Sequence, residues 1–315
     1  MQQVKFRKTP TGVRLDQIKK SPNFKDGKFQ NLSHTPCLTE GVNYYAVVME
    51  YIFSKSKRGK PAQIMPSKRT DLLNLPSEQD VLVWFGHSSY FIQIDGKKIL
   101  VDPVLSGAAS PIKATTRSFK GSDIYTNADT PEIDYLLISH DHWDHLDYAT
   151  IKKLRPKINK IICGLGTGQH LERWGFHPEQ LLEKDWEDEV ILEDGFTVNI
   201  TPTRHFSGRG FKRNTALCIS FVLKTPTIKI FLGGDSGYDT YFTTIGNKYG
   251  PFDLAILECG QDDKSWKYIH MMPEEIITAG GNLKATTLLP VHWGKFSLTN
   301  HAWDDPIKQL LQLGR

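Results

Sequence analysis

The sequence predicts an α/β protein built as an αββα sandwich, with two mixed β-sheets face to face and helices on both outer surfaces. Short apolar runs bounded by turn residues first follow one another as hairpins and later alternate with helical patterns. A chain of 315 residues is long enough to bury a substantial core in this arrangement. The order of the elements therefore favours two sheets covered by helices.

The first predicted strands span residues 81–85, 90–94 and 98–101, and Asp95 and Gly96 form a hairpin turn between the last two. Further strands are predicted at 135–138, 160–163, 189–192, 198–202, 218–223, 229–232, 254–257 and 287–291. Helices are predicted at 148–154, 169–174, 273–283 and 306–313.

The composition is that of an ordinary soluble globular protein, with 39% hydrophobic and 23% charged residues. A formal net charge of +4 is too small to indicate a nucleic-acid partner. The four cysteines lack Cys-x-x-Cys spacing, so we expect reduced, mostly buried thiols. Neither a signal peptide nor an apolar stretch near the ~20 residues of a spanning helix is visible, so the sequence predicts a cytoplasmic location.

Residues 1–75 are predicted to form an N-terminal arm packed on a main domain of residues 76–315, because the arm is rich in basic residues and prolines and poor in acids. Within the arm, residues 44–53 read as an apolar helix. A basic cluster follows it, formed by Lys55, Lys57, Arg58 and Lys60. Such a helix could rest on an anionic membrane surface as a peripheral contact. Packing of the helix on the main domain is the simpler interpretation and is preferred.

The stretch of residues 139–147 reads Ser-His-Asp-His-Trp-Asp-His-Leu-Asp and lies between a predicted strand and a predicted helix. Imidazoles and carboxylates are costly to bury unpaired, so a core position is a poor explanation for them. His140 and His142 alternate along an extended segment and can point the same way. Asp144 and His145 follow the turn into the helix and approach from another side. This arrangement suits two metal ions better than one, and the alternative is a polar loop with accidental histidines.

The spacing His-x-His-x-Asp-His resembles the signature of the metallo-β-lactamase superfamily. Later residues at strand ends fall where that pattern places ligands, namely His205, Asp235 and His292. The resemblance implies two ligand sets bridged by Asp235: His140, His142 and His205 for one metal, and Asp144, His145 and His292 for the other. Imidazoles and carboxylates without a thiolate suit zinc best, with manganese or iron as alternatives.

From about residue 81 onward, further motifs resemble the N-acylphosphatidylethanolamine phospholipase D branch, which is close to the ascorbate-phosphate lactonase group. They include Trp-Phe-Gly-His-Ser-Ser from residue 84, His-Phe-Ser-Gly-Arg from 205, Gly-Gly-Asp-Ser-Gly from 233, His-Met-Met-Pro-Glu-Glu from 270 and Val-His-Trp-Gly-Lys-Phe from 291. Two non-ligand residues differ from the branch: Asp141 and Trp143 stand where the phospholipase usually has Asn and Tyr. These differences bear on substrate preference.

The resemblance implies a dinuclear metal-dependent hydrolase that cleaves a phosphodiester through a hydroxide held between the metals. Asp144, Asp235 and His270 are the expected catalytic residues. His270 would bind phosphate or protonate the leaving group, although it could also be a helix-start residue without chemistry. Two divalent ions, two aspartates and a hydroxide leave a charge of about +1, which favours an anionic small molecule or a phospholipid. The alternatives are a lactonase or other carbonyl hydrolase, and a non-catalytic metal-binding protein.

Overall fold

The protein is described here by a computed structural model covering residues 4–6, 9–43, 45, 47, 49, 58–112, 114–210 and 212–314. Near the N-terminus, helix α1 (Gly12–Lys20) is followed by a small antiparallel hairpin of β1 (Phe24–Lys25) and β2 (Lys28–Phe29). The other described strands form two six-stranded sheets.

The first sheet contains, in spatial order, β3 (Val81–Trp84), β4 (Tyr90–Ile94), β5 (Lys97–Val101), β6 (Ile133–Ile138), β7 (Ile158–Gly164) and β8 (Leu181–Lys184). Its first three strands are antiparallel, and from β5 to β8 neighbouring strands are parallel. Asp95 and Gly96 both have positive φ angles, as a tight hairpin turn between β4 and β5 requires.

The second sheet has the spatial order β14, β13, β12, β11, β10, β9. In chain order its strands are β9 (Glu189–Ile191), β10 (Thr197–Pro202), β11 (Ile219–Lys224), β12 (Lys229–Leu232), β13 (Phe252–Glu258) and β14 (Ala285–Val291). Neighbouring strands from β9 to β12 are antiparallel, whereas β12, β13 and β14 are parallel.

Alternation along the strands divides the core into layers. In β4, Tyr90, Ile92 and Ile94 face the second sheet, while Phe91 faces the outer helix layer. Helices α2 (Tyr148–Leu154) and α3 (Gly168–Arg173) cover the first sheet. Helices α4 (Tyr241–Lys248), α5 (Pro273–Asn282) and α6 (Asp305–Leu313) cover the second. The predicted αββα sandwich is thus confirmed.

The N-terminal region contributes to the core between the sheets. Ile18 of α1 and Phe29 of β2 are buried there, and Arg14 forms ion pairs with Glu172 and Glu183. The sequence did not predict α1, the β1–β2 hairpin, β8 or α4. The division into an arm of residues 1–75 and a main domain stays a prediction.

The predicted helix over 44–53 falls largely outside the described residues, as do Lys55 and Lys57. Residues 45, 47 and 49 are helical, and Arg58 pairs with Asp304. Within the described part of the chain, no helix has the length and apolar character needed to cross a bilayer.

Candidate metal centre

The predicted metal-binding residues lie at one edge of the sandwich, where strands of both sheets end. The loop after β6 carries four of them, and the other three follow β10, β12 and β14. His292, directly after β14, has a φ of 70°, and its backbone N–H donates to the His87 carbonyl. This left-handed turn directs the chain into the site. The sheet topology places the four strand ends at the same edge and so brings together side chains that are far apart in sequence.

The loop after β6 is fixed at both of its ends. Asp147 caps α2 by accepting hydrogen bonds from the backbone N–H groups of Ala149 and Thr150. The buried guanidinium of Arg209 donates to the carbonyl oxygens of Asp141 at 3.0 Å and Leu146 at 2.5 Å, and its centre lies 3.9 Å from the Trp143 ring centroid. The loop is therefore held by hydrogen bonds that do not involve its ligand atoms.

All seven predicted ligands lie in two adjacent clusters. The first contains His140, His142, His205 and Asp235, and the second contains His87, Asp144, His145 and His292. Within each cluster, one potential ligand atom per residue lies within 4.8 Å of all the others. His87, which was not among the seven predicted ligands, belongs to the second cluster: its Nε2 is 2.9 Å from Asp144 Oδ2, and its backbone N–H donates to the Trp293 carbonyl.

Asp235 borders both clusters. Its Oδ2 lies 3.7 Å from His140 Nε2 and 3.1 Å from His145 Nε2, and its Oδ1 lies 2.6 Å from His292 Nδ1. Two ligand atoms about 2.1 Å from a shared ion lie roughly 3.4 Å apart at a tetrahedral angle. The distances from Asp235 Oδ2 to His140 and His145 therefore fit a carboxylate shared between two ions, whereas the 2.6 Å contact of Oδ1 with His292 is that of a direct ion pair.

Several of these atoms are buried without a hydrogen bond. They are His140 Nε2, His145 Nε2, Asp235 Oδ1 and both ring nitrogens of His292. Buried polar atoms nearly always have a partner, so a cluster of exceptions needs an explanation. Metal ions would satisfy them, and the residues present fit such ions.

The charges of the site also suit cations. Burial holds the pKa values of His140 and His205 well below their usual range, so both rings are neutral, as metal ligation requires. Burial would raise the pKa of the Asp235 carboxyl, but His145 and His292 outweigh it and hold that pKa well below the usual value. Burial opposes protonation of His145, yet the carboxylates of Asp235, Asp144 and Asp102 raise its pKa. A divalent ion could take the place of that proton.

Two carboxylates beside the clusters were not identified from the sequence. Asp102 accepts the backbone N–H of Ser139 at 2.9 Å and lies 2.8 Å from His145 Nδ1. Glu258, at the end of β13, lies 3.4 Å from His270 Nδ1. Each is a single acid after an apolar strand, and nothing in its spacing distinguishes it from a turn residue.

His270 lies beside the clusters, with its ring centroid 5.1 Å from that of His205 and 5.4 Å from that of His292. It lines a cavity of about 950 Å³ that reaches Asp144, Asp235 and other predicted ligands. The remaining wall is largely apolar and includes Leu38, Val47, Phe206, Trp266, Ile269 and Leu298. The centre is therefore accessible from a cavity able to hold an organic substrate.

Residues 97–293 match the family model described as the beta-lactamase superfamily domain, which is more than half of the chain. The chain belongs to the beta-lactamase superfamily. Together with the clustered histidines and aspartates, membership of this superfamily supports a metal-dependent hydrolase.

Two relatives and one solved structure are similar to this chain. An uncharacterized protein of Mycobacterium tuberculosis is 35% identical over 92% of this chain and 79% of its own length. An N-acyl-phosphatidylethanolamine-hydrolyzing phospholipase D of Caenorhabditis elegans is 29% identical over 73% of this chain and 68% of its own. A metallo hydrolase from Ignicoccus hospitalis has a TM-score of 0.56 at 21% identity, covers 74% of this chain and 91% of that one, and shares the fold.

Proposed function

We propose that this superfamily member is a dinuclear metal-dependent hydrolase that cleaves phosphodiesters, with zinc as the resident metal. The observation that carries the proposal is the pair of ligand clusters meeting at Asp235 on the wall of an open cavity. Two divalent ions held there would supply activated water at neutral pH and offset the charge of a phosphate. Imidazoles and carboxylates without a thiolate suit zinc, while manganese or iron are compatible with the same ligands.

Residues of the cavity wall are suited to an anionic substrate. His270 lies close to Asp235 and His292, where its ring can donate a hydrogen bond to a phosphate or leaving-group oxygen. Arg213 also lines the cavity, and its guanidinium contacts the Phe206 ring and the Cys37 thiol. In the described part of the chain, no carboxylate pairs with this guanidinium, so its charge is available to a ligand. The phospholipase activity named for the Caenorhabditis elegans relative supports the choice of a phosphodiester.

Initial rates of the zinc-loaded protein on bis(p-nitrophenyl) phosphate, a lactone and nitrocefin test this proposal. We expect the phosphodiester to be the preferred substrate. Asp235→Asn should abolish turnover while the fold is kept, and Asp16→Asn, an exposed change of the same chemistry in α1, should not alter it. Preference for the lactone or nitrocefin would indicate a carbonyl hydrolase instead. Two bound metals without turnover on any of the three would favour a non-catalytic metal-binding protein.

Of the two substrate classes expected, an anionic small molecule and a phospholipid, the second would be met at a membrane surface. Acyl chains must remain out of water while the phosphate reaches the metals, since each exposed CH₂ costs ~0.8 kcal/mol. Leu38, Val47 and Trp266 supply apolar wall beside the ligands. Val47 belongs to the predicted apolar segment over 44–53, which connects that segment with the cavity. The basic residues after this segment could hold anionic head groups nearby.

Co-sedimentation with phosphatidylserine-containing vesicles at low and high salt tests the membrane contact. We expect binding that weakens with salt and with Lys55/Lys57/Lys60→Glu; Arg58 is left unchanged because it pairs with Asp304. The matched control is Lys19/Lys20/Lys25→Glu, which changes three exposed lysines elsewhere in the arm. Absence of binding at low salt would remove the phospholipid and leave a soluble phosphodiester as the substrate class.

A further inference from the structure

Glu258 is a buried carboxylate that belongs to neither ligand cluster. It ends β13, is 1% exposed and follows the buried residues Ala255, Ile256 and Leu257. A carboxylate in such surroundings is costly unless hydrogen bonds or positive charge compensate it. The groups that compensate the buried carboxylate of Glu258 therefore indicate its role.

Both carboxylate oxygens of Glu258 face the short segment that carries His270. Oε1 accepts the backbone N–H of Met271 at 2.8 Å, which fixes the main chain directly after the histidine. Oε2 lies 3.4 Å from His270 Nδ1 and has no completed hydrogen bond. His292 Nδ1 is farther from Oε2, at 3.7 Å, and has Asp235 Oδ1 at 2.6 Å. His270 is thus the partner that the geometry favours.

This contact determines which edge of the His270 ring is free. With Nδ1 directed at Glu258, Nε2 lies on the opposite edge of the imidazole. His270 lines the cavity and lies in one cluster with Asp235 and His292. A carboxylate that accepts one N–H of an imidazole fixes the orientation and tautomer of the ring, and so decides what the other nitrogen can do.

We propose that Glu258 is a positioning residue that orients His270 so that Nε2 delivers a proton to the leaving oxygen of the substrate. The inference rests on the proposed phosphodiester hydrolysis. In that reaction water oxygen bonds to phosphorus and the bond from phosphorus to the leaving oxygen breaks. The leaving oxygen takes the proton from Nε2 of the His270 imidazolium, which leaves a neutral ring whose remaining proton is on Nδ1, facing Glu258. A proton lost by the attacking water then returns to Nε2.

A comparison of two leaving groups tests this role. p-Nitrophenolate departs without a proton, whereas an alkoxide requires one. On glycerophosphoethanolamine, Glu258→Gln and His270→Gln should each lower kcat roughly 100-fold or more with little change in KM, the usual scale for loss of a proton donor. On bis(p-nitrophenyl) phosphate the loss should stay within about threefold. The double variant should be no slower than His270→Gln alone, because both changes disrupt the same proton donor.

Three controls distinguish a positioning role from a structural or metal-binding role. Glu274→Gln changes an exposed acid at the start of α5 and should leave both rates unchanged. Metal content and thermal unfolding are measured for each variant, and Glu258→Asp, which keeps the charge, should recover part of the alkyl-ester rate. Equal losses on both substrates, or loss of metal in Glu258→Gln, would overturn the positioning role. If wild type cleaves neither diester, the proposed function itself is wrong.

Discussion

At the scale of single residues, the proposed metal centre depends on carboxylates that hold its candidate ligands in place. Asp102 shows this best: it is 2% exposed, follows β5 and lies between the backbone of Ser139 and the ring of His145. Its contact with His145 Nδ1 leaves Nε2 for the second cluster. Such partners of a ligating histidine fix its tautomer and raise its basicity.

Asp102→Asn should weaken zinc binding by about 10- to 100-fold, because a neutral amide oxygen is a weaker acceptor for the His145 Nδ1–H than the negatively charged carboxylate is. Competition with a chromophoric chelator gives the affinity. Asp16→Asn in α1 serves as the control and should bind zinc as wild type does. Unchanged zinc affinity in Asp102→Asn would show that His145 is oriented without this carboxylate.

Sequence analysis identified the residues that stand at characteristic intervals along the chain. His140, His142, Asp144 and His145 stand together in one loop, and the resemblance then located His205, Asp235 and His292 in order along the chain. Asp102 and Glu258 act through contacts that exist only after folding, since their partners are 43 and 12 residues away. No local pattern separates them from ordinary acids at strand ends.

At the scale of elements, close packing of strand ends sets the position of the ligands. Gly260, two residues after β13, lies against the turn that carries His292. A Cβ built at this glycine would lie 2.0 Å from the His292 carbonyl oxygen. This contact is with backbone, so a side chain at Gly260 must displace the turn that carries His292.

Gly260→Ala should lower stability by about 1–3 kcal/mol, the usual cost of overpacking, and should weaken zinc binding as His292 shifts. Gly281→Ala is the matched control, because an added Cβ in this exposed turn of α5 meets nothing within 4 Å. Alanine there should be neutral or stabilising by up to ~1 kcal/mol. Urea unfolding and zinc titration of both variants check this, and equal behaviour would contradict the packing argument.

Elements with a strong apolar pattern were predicted well. The predicted bounds of β4, β12 and α2 agree with the structure, because turn or cap residues delimit each apolar run. Helix α1 was not predicted because Ile18 is its only buried residue and its other positions are mostly polar. Such a helix forms through tertiary contacts rather than through its own periodicity, which a local sequence window does not contain.

At the scale of the whole molecule, the N-terminal region completes the core between the two sheets. Ile18 is fully buried there, and Arg14 on the same helix forms ion pairs with Glu183 at 2.5 Å and Glu172 at 2.7 Å. Removal of this helix would expose part of the sheet interface, so we expect the region to be required for stability.

Ile18→Ala should lower the free energy of unfolding by about 2–5 kcal/mol, as is usual for truncation of a buried aliphatic side chain. Val13→Ala on the same helix removes exposed carbons, since Val13 is 77% exposed, and should change stability by less than about 0.5 kcal/mol. Chemical denaturation of both variants decides the matter. A loss below about 1 kcal/mol for Ile18→Ala would mean that α1 is a dispensable attachment.

The central claim, a dinuclear centre bridged by Asp235, is tested most directly by the metal content of the zinc-equilibrated protein after removal of free ions. Mass spectrometry of metals should give close to two zinc ions per chain for the wild type and fewer for Asp235→Asn, which removes the shared charge. A wild-type content of one ion or none, or two retained ions with full activity in Asp235→Asn, would contradict the bridged centre.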